Sequence, residues 1–71
     1  MHKFAICLDN SEYPTSLDKR KLYEILPDPE AAKHHQLRAI DESGEDYLFP
    51  DHIFLEIPLS EQVEKRVLLA A

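Results

Sequence analysis

The sequence predicts a small, mainly β domain, and three observations carry that prediction. Short runs rich in Phe, Ile, Leu and Tyr recur along the chain, turn-forming residues separate them at close spacing, and a helix-patterned segment closes the sequence. The chain has 71 residues. That is room for one domain, residues 1–71, with a core that covers about 60% of the surface the unfolded chain exposes. A core of this size supplies roughly 3–5 kcal/mol, so natural domains of this length add a disulfide, a metal or a partner subunit. Cys7 is the one cysteine, which excludes an intramolecular disulfide and a cysteine-based zinc site within one chain.

The elements follow in order. Lys3 to Leu8 alternates in part, with Phe4, Ile6 and Leu8 on one face and Lys3, Ala5 and Cys7 on the other, before the turn formers of "DNSEYPTS". Cys7 therefore lies opposite the larger apolar stripe, in a second core layer or facing solvent. Residues 17–26 read two ways. Leu22, Ile25 and Leu26 fit a helical face with Ser16 as N-cap, while a strand over Lys21 to Leu26 sends Tyr23 and Ile25 one way and Leu22, Glu24 and Leu26 the other. Pro27 ends either element. "PDPEAAKHHQ" then suits one helical turn opened by Asp28 or Pro29, with Glu30 early and Lys33, His34 and His35 late, as the helix dipole prefers.

Leu37 to Ile40 and Tyr47 to Phe49 form a β-hairpin across "DESGED", where Ser43 and the lone glycine, Gly44, supply the turn and its positive-φ position. A turn at Pro50 and Asp51 leads to a last strand, Phe54 to Ile57. Ser60 is placed to cap a C-terminal helix of residues 60–69, with Glu61 four residues before Lys65 and with Val63 and Val67 on one face. The ending "VLLAA" is more apolar than a free terminus needs. It either docks on the strands or meets another subunit, which makes Val67, Leu68 and Leu69 candidate oligomer contacts.

Charge narrows the functions. Eight basic against fourteen acidic residues give a net charge of −6, which repels phosphate backbones and anionic membranes. Neither nucleic acid nor membrane is an expected partner. The start has no secretory apolar region, no stretch reaches bilayer length, and a lone thiol suits a reducing compartment, so the expected location is cytoplasmic.

Chemistry-bearing residues are few. Asp41, Glu42, Glu45 and Asp46 crowd the hairpin turn, but "DESGED" does not match a calcium loop and is too short to supply six to eight oxygen ligands. On so tight a hairpin these carboxylates are expected to splay into solvent, available to a basic partner. His34 and His35 are adjacent, so neither a helix nor a strand lets both grip one metal. A metal or small-molecule site using one of them with nearby carboxylates is the alternative reading. Cys7 has no adjacent cation or helix start to lower its pKa, and no nucleophile-elbow, Walker, Rossmann or zincin pattern occurs. No catalytic residue, metal ligand or cofactor is assigned. Among the aromatic residues, Tyr13, in a loop before Pro14, is the one expected to be exposed, and it joins Asp41, Glu42, Glu45, Asp46 and Tyr47 as a candidate partner-binding set.

The run "LYEILPDPEAAKHHQLRAIDESGEDYLFP" followed by "FLEIPL" resembles a group of small bacterial proteins in which a strand ending Leu-Pro-Asp precedes an Arg-x-Ile-Asp-Glu-Ser-Gly-Glu-Asp-Tyr-Leu hairpin. The resemblance covers Leu22 to about Leu59. It implies a five-stranded Src-homology-3-like small barrel with a short C-terminal helix, which tips residues 22–26 towards strand. It implies no particular activity. Polyproline-binding domains of that barrel hold their ligand with a tryptophan, and this chain has none, so that function does not carry over. The expected function is a non-catalytic interaction module or accessory subunit that binds a protein partner or a second copy of itself.

Overall fold

The structure, a computed structural model, describes residues 3–69, without the side chains of residues 64, 68 and 69. Strands β1 (Lys3–Cys7), β2 (Leu22–Leu26), β3 (Gln36–Ile40), β4 (Asp46–Pro50) and β5 (Phe54–Ile57) form one sheet of order β4-β3-β2-β1-β5, and α1 (Pro29–Ala32) and α2 (Glu61–Leu69) complete the chain. All neighbouring pairs are antiparallel. The predicted mainly β, barrel-like class holds, with one difference: β4 and β5 remain the two edges of the sheet, which is open and not closed into a full barrel.

Residues 17–26 resolve as a loop and a strand. Tyr23 and Ile25 are buried, while Leu22, Glu24 and Leu26 take the other face. Ser16 caps no helix. Its carbonyl accepts from the Glu42 N–H at 3.0 Å, and Leu17 behind it is fully buried. The loop is therefore part of the core wall, closed further by the Asn10 Nδ2 bond to the Leu17 carbonyl at 2.9 Å.

β1 departs from its predicted facing. Ala5 and Cys7 are fully buried in the main core, whereas Leu8 is 46% exposed and Ile6 only half-buried. The reason is spatial: β1 is the central partner of β2 and β5, and its inward residues sit where Tyr23, Phe49 and Phe54 converge, leaving room for small side chains only. Phe4 is buried on the opposite face, so β1 is covered in part on both sides. Cys7 is thus a core residue, and burial pushes its thiol pKa up, away from the reactive thiolate.

Four rings meet edge to face in and against that core, in three contacts. Phe49 lies 5.1 Å from Tyr13 and 6.0 Å from Phe54, and Tyr23 lies 6.2 Å from Phe54, centroid to centroid. Edge contacts of this kind add about 0.5–1.5 kcal/mol beyond area burial, a sizeable share for so small a domain. Tyr13 is therefore a half-buried packing residue and not the exposed ring the sequence suggests.

The local signals at element ends are as read. The Asp28 carboxylate accepts from the Ala31 N–H at 3.0 Å and Pro29 occupies the first turn of α1. Ser60 Oγ accepts from the Val63 N–H at 3.3 Å, and Glu61 faces Lys65 at 3.6 Å on α2. A bulge closes the far end of the β1–β2 pair: the Cys7 N–H donates to the Lys21 carbonyl at 2.9 Å, while the Arg20 N–H donates to the Cys7 carbonyl at 2.7 Å. Two residues thereby oppose one, and Arg20 takes φ 68°, a position that favours glycine.

Candidate functional site

The acidic hairpin is the first candidate: Glu42, Glu45 and Asp46 reach solvent as expected and Asp41 is buried, yet all four carboxylates are engaged in hydrogen bonds or ion pairs. Gly44 provides the turn at φ 84°. Asp41 is only 7% exposed, and its Oδ1 accepts from both the Ser43 N–H and the Ser43 hydroxyl. Its backbone N–H donates to the Glu45 carbonyl at 3.0 Å, so Asp41 holds the turn from two sides. Glu42 is held by Lys21 Nζ at 2.7 Å and by the Tyr23 hydroxyl. The Tyr23 hydroxyl also accepts from the Asp18 N–H at 2.6 Å, tying the β1–β2 loop to the hairpin. Asp46 faces Arg38 at 2.9 Å, and Arg38 reaches Asp28 at the same distance. Glu45 accepts from the Tyr47 hydroxyl at 2.8 Å.

These partners shift the titrations. Hydrogen bonding from Lys21, then from Tyr23, holds the Glu42 carboxyl below its usual range. The Ala31 N–H, then Arg38, does the same for Asp28. Burial pushes the Tyr23 phenol up, and the bond to Glu42 adds to it. Such groups are set for holding the fold, since each is stabilised in the protonation state it already occupies at neutral pH.

The candidate residues therefore separate in space. Asp41 and Glu42 border a cleft of about 600 Å³ floored by Phe4, Leu22 and Ile40 and closed by Val67, which is half-buried. That cleft brings one oligomer candidate, Val67, to two of the acidic ones. The Leu68 and Leu69 side chains lie outside the described residues. Tyr47 is half exposed. Tyr13 packs on Phe49. His34 and His35 are exposed at the end of α1, where His35 takes φ 57°. Among the described residues no group of three or more His, Cys, Asp and Glu is placed to hold a metal.

A second cleft, of about 470 Å³, runs along the open seam of the sheet between β5 and the start of β3. Its floor is apolar, from Ile25, Leu37 and Phe54, and Lys3, Asp51 and Glu56 stand at its border. Asp51 and Glu56 make no side-chain hydrogen bond or ion pair among the described residues. Sequence reasoning missed this site. The available signal was Glu56, a charge in the middle of the strand "FLEI", which is where edge strands carry one.

No family model, no curated protein and no solved structure matches the chain. What the fold and these clefts define is a small open-barrel β domain with a C-terminal helix. No helix among the described residues is long and apolar enough to cross a membrane.

Proposed function

We propose that the protein is a non-catalytic interaction module that binds a protein partner, and the observation that carries this reading is an apolar strip on the outer side of β1 and β5. Ile6 pairs with Leu55 across the two strands, Leu55 is 55% exposed, and Leu8 next along the chain is 46% exposed. Apolar side chains grouped at a sheet edge gain by being covered, and a partner is what covers them. The titrating groups nearest to each other support the same reading. The hairpin carboxylates are engaged in bonds that hold turns and loops, and the Cys7 thiol is sealed in the core.

The net charge of −6 favours a basic partner, steered at long range and weakened by salt. The test is affinity capture with the full chain at low and high salt, with cross-linking to identify what is held and through which residues. Cross-links to Leu8 and β5 from a salt-sensitive basic protein support the reading; capture unchanged by salt, or none at all, defeats it.

A second reading is self-association through α2, favoured by Val63, which is 47% exposed on the same helical face as Val67. Truncation after Arg66 checks it. An oligomer of the full chain that becomes monomeric on truncation supports it, and a monomeric full chain removes it.

A further inference from the structure

We propose that the seam beside β5 is a docking edge for an extended segment of the partner protein, one that alternates apolar with basic residues and adds to β5 as a further strand; this rests on the interaction-module reading. The hydrogen-bond parity of β1 shows which groups are on offer. The Cys7 N–H donates to Lys21 in the direction of β2, and the Leu8 N–H donates to Ile53 in the direction of β5 at 2.7 Å. Even-numbered residues of β1 therefore bond to β5, and their partners Leu55 and Ile57 spend their backbone groups on β1. Phe54 and Glu56 point theirs the other way. The Phe54 N–H turns back to the Asp51 carbonyl. That leaves the Phe54 carbonyl and both backbone groups of Glu56 directed out of the sheet, at the border of the cleft.

The other edge of the sheet is less open to a strand. In the β3–β4 pair the Asp41 N–H bonds the Glu45 carbonyl, so by the same alternation Asp46, Leu48 and Pro50 direct their backbone groups outward. Pro50 has no N–H to offer, and Asp46 is held by Arg38. β5, by contrast, borders an apolar floor that alternate side chains of an added strand can enter.

Charge fixes the chemistry of the segment. Arg38, on the opposite wall, is spent on Asp28 and Asp46. Among the described residues Lys3 alone then faces Asp51 and Glu56, so their free charge at the cleft is negative, in the same sense as the whole chain. A lysine- or arginine-bearing strand meets those two carboxylates while its apolar residues face Ile25, Leu37 and Phe54.

The experiment titrates a capped peptide of alternating valine and lysine into the isotope-labelled full chain, with a valine–glutamate peptide as control. The expected result is saturable amide shifts centred on Phe54, Leu55 and Glu56, slowed hydrogen exchange at Glu56, and no binding of the control. Glu56→Pro deletes an outward N–H without touching a bond to β1, and is expected to weaken the peptide by about tenfold, as loss of one hydrogen bond does. Should that variant not fold, the pair Asp51→Lys and Glu56→Lys serves instead, and is expected to exchange the preference to the glutamate peptide. No saturation up to about 1 mM, shifts centred on Phe4 and Val67, or equal binding of both peptides overturns the proposal. An identified partner that folded Glu56→Pro captures undiminished overturns the seam while leaving the interaction module standing; absence of both peptide and partner binding defeats both.

Discussion

At the β3–β4 turn, Asp41 accepts two hydrogen bonds from Ser43, Glu42 is gripped by Lys21 and Tyr23, and Asp46 meets Arg38. Beside β5, Asp51 and Glu56 have the same carboxylates and no side-chain partner among the described residues. The difference lies in what surrounds them. The hairpin acids meet donors from the turn itself, from Lys21 and Tyr23 and from Arg38 of β3, while the β5 acids border an edge that presents unused backbone. Density of negative charge along the sequence pointed to the hairpin; the density of unspent donors and acceptors in space points to the seam. Substitutions should accordingly act on stability in one region and on binding in the other.

The largest effect is expected where the two regions share a core. Phe49→Ala removes a ring that touches both Tyr13 and Phe54, costs about 3–5 kcal/mol, and should leave the chain without a cooperative thermal transition. Next is Asp41→Ala, which leaves the Ser43 N–H unpaired and should cost about 1–3 kcal/mol in urea unfolding, with Asp41→Asn recovering part of it. Tyr23→Phe strips the acceptor from the Asp18 N–H and should cost about 1 kcal/mol.

The pH dependence sharpens the same contrast. The folded carboxyls of Asp28 and Glu42 lie below their ordinary values of 3.8 and 4.5, so their contribution is present above those values and lost as pH falls through the folded ones. The urea midpoint should drop as pH falls below 4.5, and less so in Glu42→Gln. The Tyr23 phenol is raised above 10.0, so its contribution is present below that pH and fades as the pH rises past it, a limb that Tyr23→Phe should remove.

Smaller effects fall outside the hairpin. Arg20→Gly relieves a left-handed backbone that costs roughly 1–2 kcal/mol against a glycine entropy cost of about 0.5–1, and should raise stability slightly. Asp51→Asn and Glu56→Gln should move stability by no more than about 0.5 kcal/mol. The comparison between the two regions breaks if these last two cost as much as Asp41→Ala.

Strands β1, β3, β4 and β5, the Ser43–Gly44 turn and the caps at Asp28 and Ser60 were legible because each rests on residues within four positions of one another, whereas the periodicity of β2 fitted a helix as well as a strand. What was not legible depends on register. Glu42 finds Lys21 across 21 positions, and Arg38 finds Asp28 across 10, through the pairing of β2 with β3. Nothing local announces that, so free carboxylates were expected where bound ones occur. The facing of β1 was missed for a different reason. A strand covered on both sides carries apolar residues at odd and even positions alike, and size then misleads, because Phe4, Ile6 and Leu8 outweigh Ala5 and Cys7. Tyr13 was misplaced because the β1–β2 loop closes over the core, which only Leu17, an apolar residue among turn formers, hinted at. The seam was invisible since an edge is a property of strand order.

Cys7 has a further use. It is the one thiol of the chain and is fully buried between β2 and β5, so an alkylating reagent in solution reaches it only when the sheet comes apart. The protein thus contains its own stopwatch for opening. The rate at which Cys7 is labelled, set against that of the unfolded chain, reads the population of open molecules in any mixture, with no dye or tag attached.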